Sequence, residues 1–383
     1  MTASALTRPG QRDRLVVKFG EIDWTFCALL CLIAGVGALM LYSVANGSWE
    51  PWAAKHLIRF GLCLLLALAL ALVDIRVWFI VAYPLYLIGL ILLLAVMVKG
   101  EVSLGAKRWL NLHVVRIQPS EIMKIGLVLA LARFYHGLSA NEARFSWKLL
   151  IPAAMIGVPV LLVAKEPDLG TAILLALTGA AVVILAGLSL RVLILGAVGV
   201  AAGVPVLIKV MQPYQRDRLL TFLHPEADPS GSGYHILQSK IALGSGGLLG
   251  RGFELGSQSQ LDFLPEKHTD FIFATLAEEF GFIGSFSVLV LYLAVILIAL
   301  RTSSLAHSHF GRLAGSGVTA TFALYVLINA AMVMGMAPVV GVPMPMMSFG
   351  GTVMLTVMIG FGLVQSVKVH RYTEVTSGKG ALL

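Results

Sequence analysis

The chain has 383 residues, 58% of them hydrophobic and only 13% charged, with a formal net charge of +8. Soluble domains carry roughly 45–50% apolar and about 25% charged residues, so a water-soluble enzyme domain is excluded and a polytopic membrane protein is expected. The basic excess does not imply nucleic acid, because a positive face against anionic lipid explains it.

A spanning helix needs roughly 20 mostly apolar residues. Ten such stretches follow in chain order: 24–44, 57–73, 78–98, 120–138, 149–164, 170–188, 192–211, 271–300, 314–340 and 349–369. The expected fold is therefore an all-α polytopic membrane protein of about ten transmembrane helices. Residues 1–20 form a basic tail, 21–370 the transmembrane domain and 371–383 a polar tail. The first apolar run is long and lacks a small-residue cleavage site, so no cleavable signal is expected. An even number of spans puts both ends on one side. With both ends inside, the bases divide 14 to 14; leaving Arg216, Arg218, Lys240, Arg251 and Lys267 of the long loop 212–270 out of the count gives 14 inside against 9 outside. The positive-inside rule discounts such loops, which favours N-in/C-in and makes 212–270, between helices 7 and 8, extracytoplasmic. Only 6 of the 20 acids fall inside. The outer face then mixes charge of both signs, as a site that handles anions and also needs carboxylates would.

Cys27, Cys31 and Cys63 all lie in the first two spans, so no disulfide or zinc framework is expected. His307 and His309 read as a solvated loop pair. The chain has no Walker loop, dinucleotide-binding glycine pattern or nucleophile elbow, which argues against an ATP-driven pump.

Four polar blocks interrupt the apolar pattern. The outer loop 99–119 sets Lys107, Arg108 and Arg116 around Trp109, and Pro119-Ser120-Glu121 opens the next helix with Lys124 three residues on. This block reads either as a capped helix with an internal Glu121–Lys124 pair or as a phosphate-binding patch, since Arg and Lys clamp phosphates. In Lys165-Glu166-Pro167-Asp168-Leu169-Gly170-Thr171, Asp168 is a helix-cap candidate, and Lys165 and Glu166 suit a membrane edge. The block from Phe263 to Gly281 sets Glu266, Lys267, His268, Asp270, Glu278 and Glu279 at the mouth of an apolar helix. Asp270, Ala274 and Glu278 share a face there, and capping by Asp270 competes with chemistry. The run 336–352 holds three prolines and three glycines, either a helix-ending loop or a re-entrant turn lining a cavity. The glycine-rich 244–252 breaks regular structure, and the piece 234–243 suits a short surface helix. Small residues crowd the eighth and ninth spans at Gly281, Gly284, Ser285, Ser287, Ala314, Gly315, Ser316, Gly317, Thr319 and Ala320. They serve either internal packing or a partner helix.

Each block alone is ambiguous. Taken in order, Arg108-Trp109, Gln118-Pro119-Ser120-Glu121, Glu166-Pro167-Asp168-Leu169-Gly170-Thr171, Leu264-Pro265-Glu266-x-His268-Thr269-Asp270-Phe271, Pro338-Val339-Val340-Gly341-Val342-Pro343 and Ser348-x-Gly350-Gly351 resemble the SEDS family of bacterial shape, division and sporulation proteins. The likeness runs from the first span to the last. Gly256-Ser257-Gln258-Ser259-Gln260 and Gly350-Gly351-Thr352 look like its RodA (elongation) branch rather than its FtsW branch, while Met344, Met346 and Met347 depart mildly from the usual pattern.

The resemblance implies a peptidoglycan glycosyltransferase in the bacterial cytoplasmic membrane, with its site facing outward. It would polymerise lipid II with inversion and release undecaprenyl pyrophosphate. A lipid II flippase and a non-catalytic scaffold are the competing classes. The family places the essential acid at Asp270, a base for the attacking hydroxyl. Arg59, Lys107, Arg108, Arg116 and Lys124 are expected at the pyrophosphates, with Trp109, Glu266, His268 and Ser348 lining the substrate site. The resemblance also implies a divalent cation, Mg²⁺ or Mn²⁺, with Glu121, Asp168 and Asp270 as candidate ligands. It further implies a class B penicillin-binding protein as partner within the elongation machinery.

Overall fold

The computed structural model describes residues 15–103, 106–111, 116–144, 146–166, 168–210, 213–228, 231–264 and 266–376. The helices are α1 (Leu15–Gly20), α2 (Trp24–Val44), α3 (Ala53–Ala71), α4 (Ile75–Lys99), α5 (Pro119–His136), α6 (Ala140–Arg144), α7 (Leu150–Lys165), α8 (Leu169–Leu185), α9 (Leu190–Val210), α10 (Pro213–Leu223), α11 (Ser232–Gly246), α12 (Ser257–Gln260), α13 (Ile272–Ser304), α14 (His309–Val333) and α15 (Gly351–Val369). Each of the ten apolar stretches lies largely on a helix. Among the described residues seven helices are long and apolar enough to cross a membrane, and Leu169–Leu185 is a shorter apolar one. The protein is an integral membrane protein.

The apolar sequence dictates helices because backbone groups in hydrocarbon must be satisfied within the segment. Where charge enters, it is capped or paired. Asp23 and Asp74 accept hydrogen bonds from Phe26 N and Arg76 N at the starts of α2 and α4. Lys368 near the end of α15 reaches back to Asp23 at 2.7 Å. α15 is the most buried span and α14 follows it, packed against α5, α8, α13 and α15.

The structure adds to these expectations and corrects two of them. In the loop 99–119, β1 (Glu101–Ser103), β2 (Ala106–Asn111) and β3 (Arg116–Ile117) form a small antiparallel sheet in that order. Val102 and Trp109 favour the extended backbone there. The ninth span ends at Val333 rather than 340, so 334–350 is one non-helical segment. Pro338, Pro343 and Pro345 lack N–H donors and cannot continue a helix. The eighth span is not one rod either. α13 breaks at Gly281, whose φ of 66° suits glycine alone.

For the small residues of α14 the structure favours internal packing, one of the two readings. A β-carbon built at Gly317 lies 2.7 Å from Val182 Cγ2 on α8 and 2.8 Å from Val128 Cγ1 on α5. One at Gly315 meets Ser303 Oγ at 2.3 Å. These glycines bring α14 against its own neighbours, so this part of the stripe is not a partner face. Gly317→Leu is expected to cost at least the roughly 1–3 kcal/mol typical of overpacking. The measurement is thermal unfolding of the purified protein in detergent; a melting temperature equal to wild type would contradict this packing.

Candidate active site

The segment 334–350 gathers the sequence motifs. It lies among the helices with Val342, Met344, Met346, Met347 and Ser348 all buried, which is how a membrane protein tolerates irregular backbone. Its polar groups are met from several sides. Tyr292 Oη donates to Pro345 O at 2.6 Å, and Phe349 N donates to His268 O at 2.9 Å. Glycines let other backbones reach it. A β-carbon at Gly170 of α8 sits 2.2 Å from Val340 O, and one at Gly37 of α2 sits 2.7 Å from Met346 O. Gly341, at φ 68°, lies beside Asp270: its built β-carbon is 3.5 Å from Asp270 Oδ2.

Asp270 occupies the turn before α13. The N-cap of α13 is Phe271, which makes no side-chain capping bond, and Asp270 immediately precedes it. Asn329 of α14 holds the turn: its Nδ2 donates to Asp270 O at 2.8 Å and to Val342 O at 2.7 Å. Upstream, Glu266 adopts φ 51°, and its carbonyl accepts from Thr269 N at 3.0 Å and Phe271 N at 3.3 Å. A left-handed non-glycine residue costs on the order of 1–3 kcal/mol, so the surroundings must over-determine this turn. His268 stacks on Trp52 with centroids 4.6 Å apart, and the Arg59 guanidinium lies over Phe349 at 4.6 Å. Burial holds the His268 imidazole below its ordinary range against the pull of Glu266, so it is neutral at pH 7.

A buried charge network lies nearby on α5, α8 and α14. Lys124 Nζ is 2.6 Å from Glu121 Oε1 and also bonds Tyr325 Oη. Tyr325 Oη lies 2.9 Å and 3.0 Å from the two Glu121 oxygens. Asp168 caps α8, accepting from Thr171 N at 3.2 Å and Thr171 Oγ1 at 2.9 Å, and its Oδ2 is 3.4 Å from Arg108 Nε. Next to it Glu166 is 5% exposed, with Oε1 unpartnered. Burial, reinforced by Asp168 and opposed by Arg108, pushes the Glu166 carboxyl up to about 8.

With this geometry in hand, comparison with known proteins is decisive. Residues 22–373 match the FtsW/RodA/SpoVE family of cell cycle proteins. The chain belongs to that family. It is 44% identical over 353 residues to the peptidoglycan glycosyltransferase MrdB of Escherichia coli K12, covering 92% of this chain and 94% of the relative. It superimposes on a chain from a solved peptidoglycan synthase complex that coordinates polymerisation and crosslinking, with a TM-score of 0.80, 32% identity, and 92% and 99% of the two chains covered. The Thermus thermophilus rod-shape protein RodA superimposes with a TM-score of 0.69 at 29% identity, covering 92% and 98%. The likeness to MrdB and RodA agrees with the elongation branch.

In this FtsW/RodA/SpoVE family member the predicted residues divide into groups. Asp270, Glu266 and His268 share one turn, and Arg59 is linked to it through Phe349. Arg108 and Asp168 are paired, and Trp109 stands partly buried on β2 next to Arg108. Lys124 and Glu121 are buried in an ion pair, so the ion-pair reading holds for them. Ser348 closes a turn, its Oγ accepting from Met344 N at 2.8 Å. The side chains of Lys107 and Arg116 lie outside the described residues. Glu278 braces the loop before α13, accepting from Gln258 N at 3.0 Å and Ser257 Oγ at 3.1 Å, and Glu279 accepts from Ser43 Oγ of α2. Sequence reasoning missed Tyr325, Asn329 and Trp52, and read Glu166 only as an anchor. Asn329 alone had a signal, a lone amide in an apolar span.

Two outcomes are expected. Lys124→Ala leaves the Glu121 carboxylate buried and uncompensated, a loss of about 3–5 kcal/mol, and adding Glu121→Gln should recover much of it in thermal unfolding. Glu166 titrates above its unfolded value, so its contribution to stability is full below the usual carboxylate range and is lost as pH rises through about 8. Wild type should lose melting temperature relative to Glu166→Gln as pH rises from 4.5 to about 8, and level off above that. Parallel pH profiles would contradict the assignment.

Proposed function

We propose that this chain is a peptidoglycan glycosyltransferase that polymerises lipid II for cell elongation. The observation that carries the reading is the Asp270 turn: a carboxylate that is not fully buried, held through its own carbonyl by Asn329 and set against Gly341. The Arg108–Asp168 pair and the Arg59–Phe349 contact supply cationic groups in the same family of motifs.

In the proposed reaction the C4 hydroxyl of an acceptor N-acetylglucosamine attacks C1 of the donor N-acetylmuramic acid. Asp270 takes the hydroxyl proton as the new C1–O bond forms. The bond from C1 to the pyrophosphate oxygen breaks, and undecaprenyl pyrophosphate leaves with that electron pair. One displacement turns an α-linked donor into a β-linked glycan, the inverting geometry in which one carboxylate serves as base. Pyrophosphate leaves as an anion, so Arg59 and Arg108 are assigned to bind and orient it.

The implied Mg²⁺ or Mn²⁺ fits poorly as a protein-only site. Among the described residues no three His, Cys, Asp or Glu side chains are grouped to hold a metal. Glu121 and Asp168 are buried with cationic partners. Magnesium commonly binds through one or two carboxylates plus substrate phosphates, and Asp270 is the one candidate ligand that is not buried. Bound there, the ion would supply charge neutralisation to the leaving group.

We place the protein in the bacterial inner membrane with ten crossings, both termini inside and the Asp270 turn facing outward. The positive-inside count supports this orientation. The partner assigned is a class B penicillin-binding protein, in keeping with the likeness to a synthase complex that couples polymerisation to crosslinking.

The test uses purified protein and lipid II in detergent, where polymer forms without translocation. Asp270→Asn is nearly isosteric and is expected to retain less than a tenth of wild-type turnover, a barrier increase above about 1.4 kcal/mol, with unchanged thermal stability. Turnover above that level would overturn the base assignment. Absence of polymer with wild type as well would overturn the enzymatic reading.

A further inference from the structure

The break in α13 at Gly281 is filled by another part of the chain. Beyond it the helical hydrogen bonds cannot continue across the kink, and the glycine-rich turn of the outer loop supplies replacements. Arg251 N donates to Glu278 O at 3.0 Å and Gly252 N to Glu279 O at 3.1 Å. In return Phe282 N donates to Gly247 O at 2.9 Å and Ile283 N to Leu248 O at 3.1 Å. The fit depends on glycine on both sides: a β-carbon at Gly250 lies 2.1 Å from Glu279 O, and one at Gly281 lies 2.3 Å from Gly250 N.

This docking fixes the turn at the depth of residues 282 and 283. Beyond the break, Phe282, Ile283, Phe286, Val290, Leu293 and Leu297 are exposed apolar side chains at helical spacing, the lipid-facing stripe of the span. From Ile283 to the exposed Arg301 is about 27 Å of helix at 1.5 Å per residue, close to the roughly 30 Å of a bilayer's hydrocarbon core. Ile283 therefore stands at the boundary of that core. Beside it Leu248 is 71% and Leu249 79% exposed. Water would not favour two adjacent bare leucines on a turn.

The geometry points to residues 247–250 as a lipid-inserted turn, with Leu248 and Leu249 in the acyl-chain region of the bilayer. Acyl chains are the occupant because the leucines extend the lipid-facing stripe of α13 without a gap. The exchange of backbone bonds also meets the requirement that non-helical backbone at that depth be satisfied by protein. Arg251, one residue past the turn, is half-exposed with Nη1 2.6 Å from Ser257 Oγ, a polar stop where the loop leaves the bilayer. Glu278 and Gln258, in the same brace, lie just beyond it.

The test is nitroxide depth measurement on the full chain alone in lipid nanodiscs. The labelling background is Cys31→Ala, because Cys27 and Cys63 are buried. Labels go at Leu249→Cys and, separately, Leu248→Cys. Phe286→Cys serves as the lipid reference and Asp262→Cys, whose side chain is 82% exposed, as the water reference. The expected result at either leucine is a low collision rate with a water-soluble nickel chelate and a high rate with oxygen, matching Phe286→Cys. Nickel accessibility at the Asp262→Cys level would overturn the proposal, as would shielding from both reagents at both positions.

Discussion

Asn329 donates both protons of one side-chain amide to carbonyls of two segments far apart in the sequence. One is the turn that carries Asp270, the other the proline-rich segment after α14. Neither has a regular ladder of its own. The turn has a left-handed Glu266, and the proline-rich segment has three residues without an N–H. A buried carbonyl left without a donor costs on the order of 1–3 kcal/mol, so this amide decides whether the two segments can lie together. The close approaches at Gly170, Gly37 and Gly341 presuppose that junction. The position of Asp270 follows from backbone held by side chains, not from the dipole of the helix that it precedes.

The charge distribution looks different in three dimensions from the linear count. Glu121 and Lys124 neutralise each other among helices, with Tyr325 completing the set. Asp168 is engaged by Thr171 and Arg108, and Glu166 is held neutral at pH 7 by burial beside another carboxylate. A region that looks rich in acid along the sequence thus offers few uncompensated negative charges. Such a surface suits an anionic pyrophosphate, which dense carboxylate would repel.

Much of this was legible in advance. Hydropathy located every long apolar helix, because hydrocarbon allows few alternatives, and the ordered motifs carried the family. The failures are equally physical. The sheet in the first outer loop depends on cross-strand pairing that no local period announces. The end of α14 at Val333 is set by the left-handed Gly335 just past its cap, a role one glycine in an apolar run does not announce. The Gly281 break is invisible because its missing bonds are replaced by a segment some thirty residues away. Lys124 has the residue type of a phosphate ligand, and only the positions of Tyr325 and Glu121 show that it is used internally.

The stack that runs from Trp52 through His268 to Phe349 and Arg59 has a mechanical consequence. Trp52 and Arg59 stand at the first turns of α3, a helix whose span is only 28% buried in protein. Its N-terminal end grips the Asp270 turn while its length packs along α15, with the other face toward whatever surrounds the protein. Sliding or tilting α3 must drag the ring of His268, two residues from Asp270. α3 therefore couples α15, along which it packs, to the turn that carries the carboxylate.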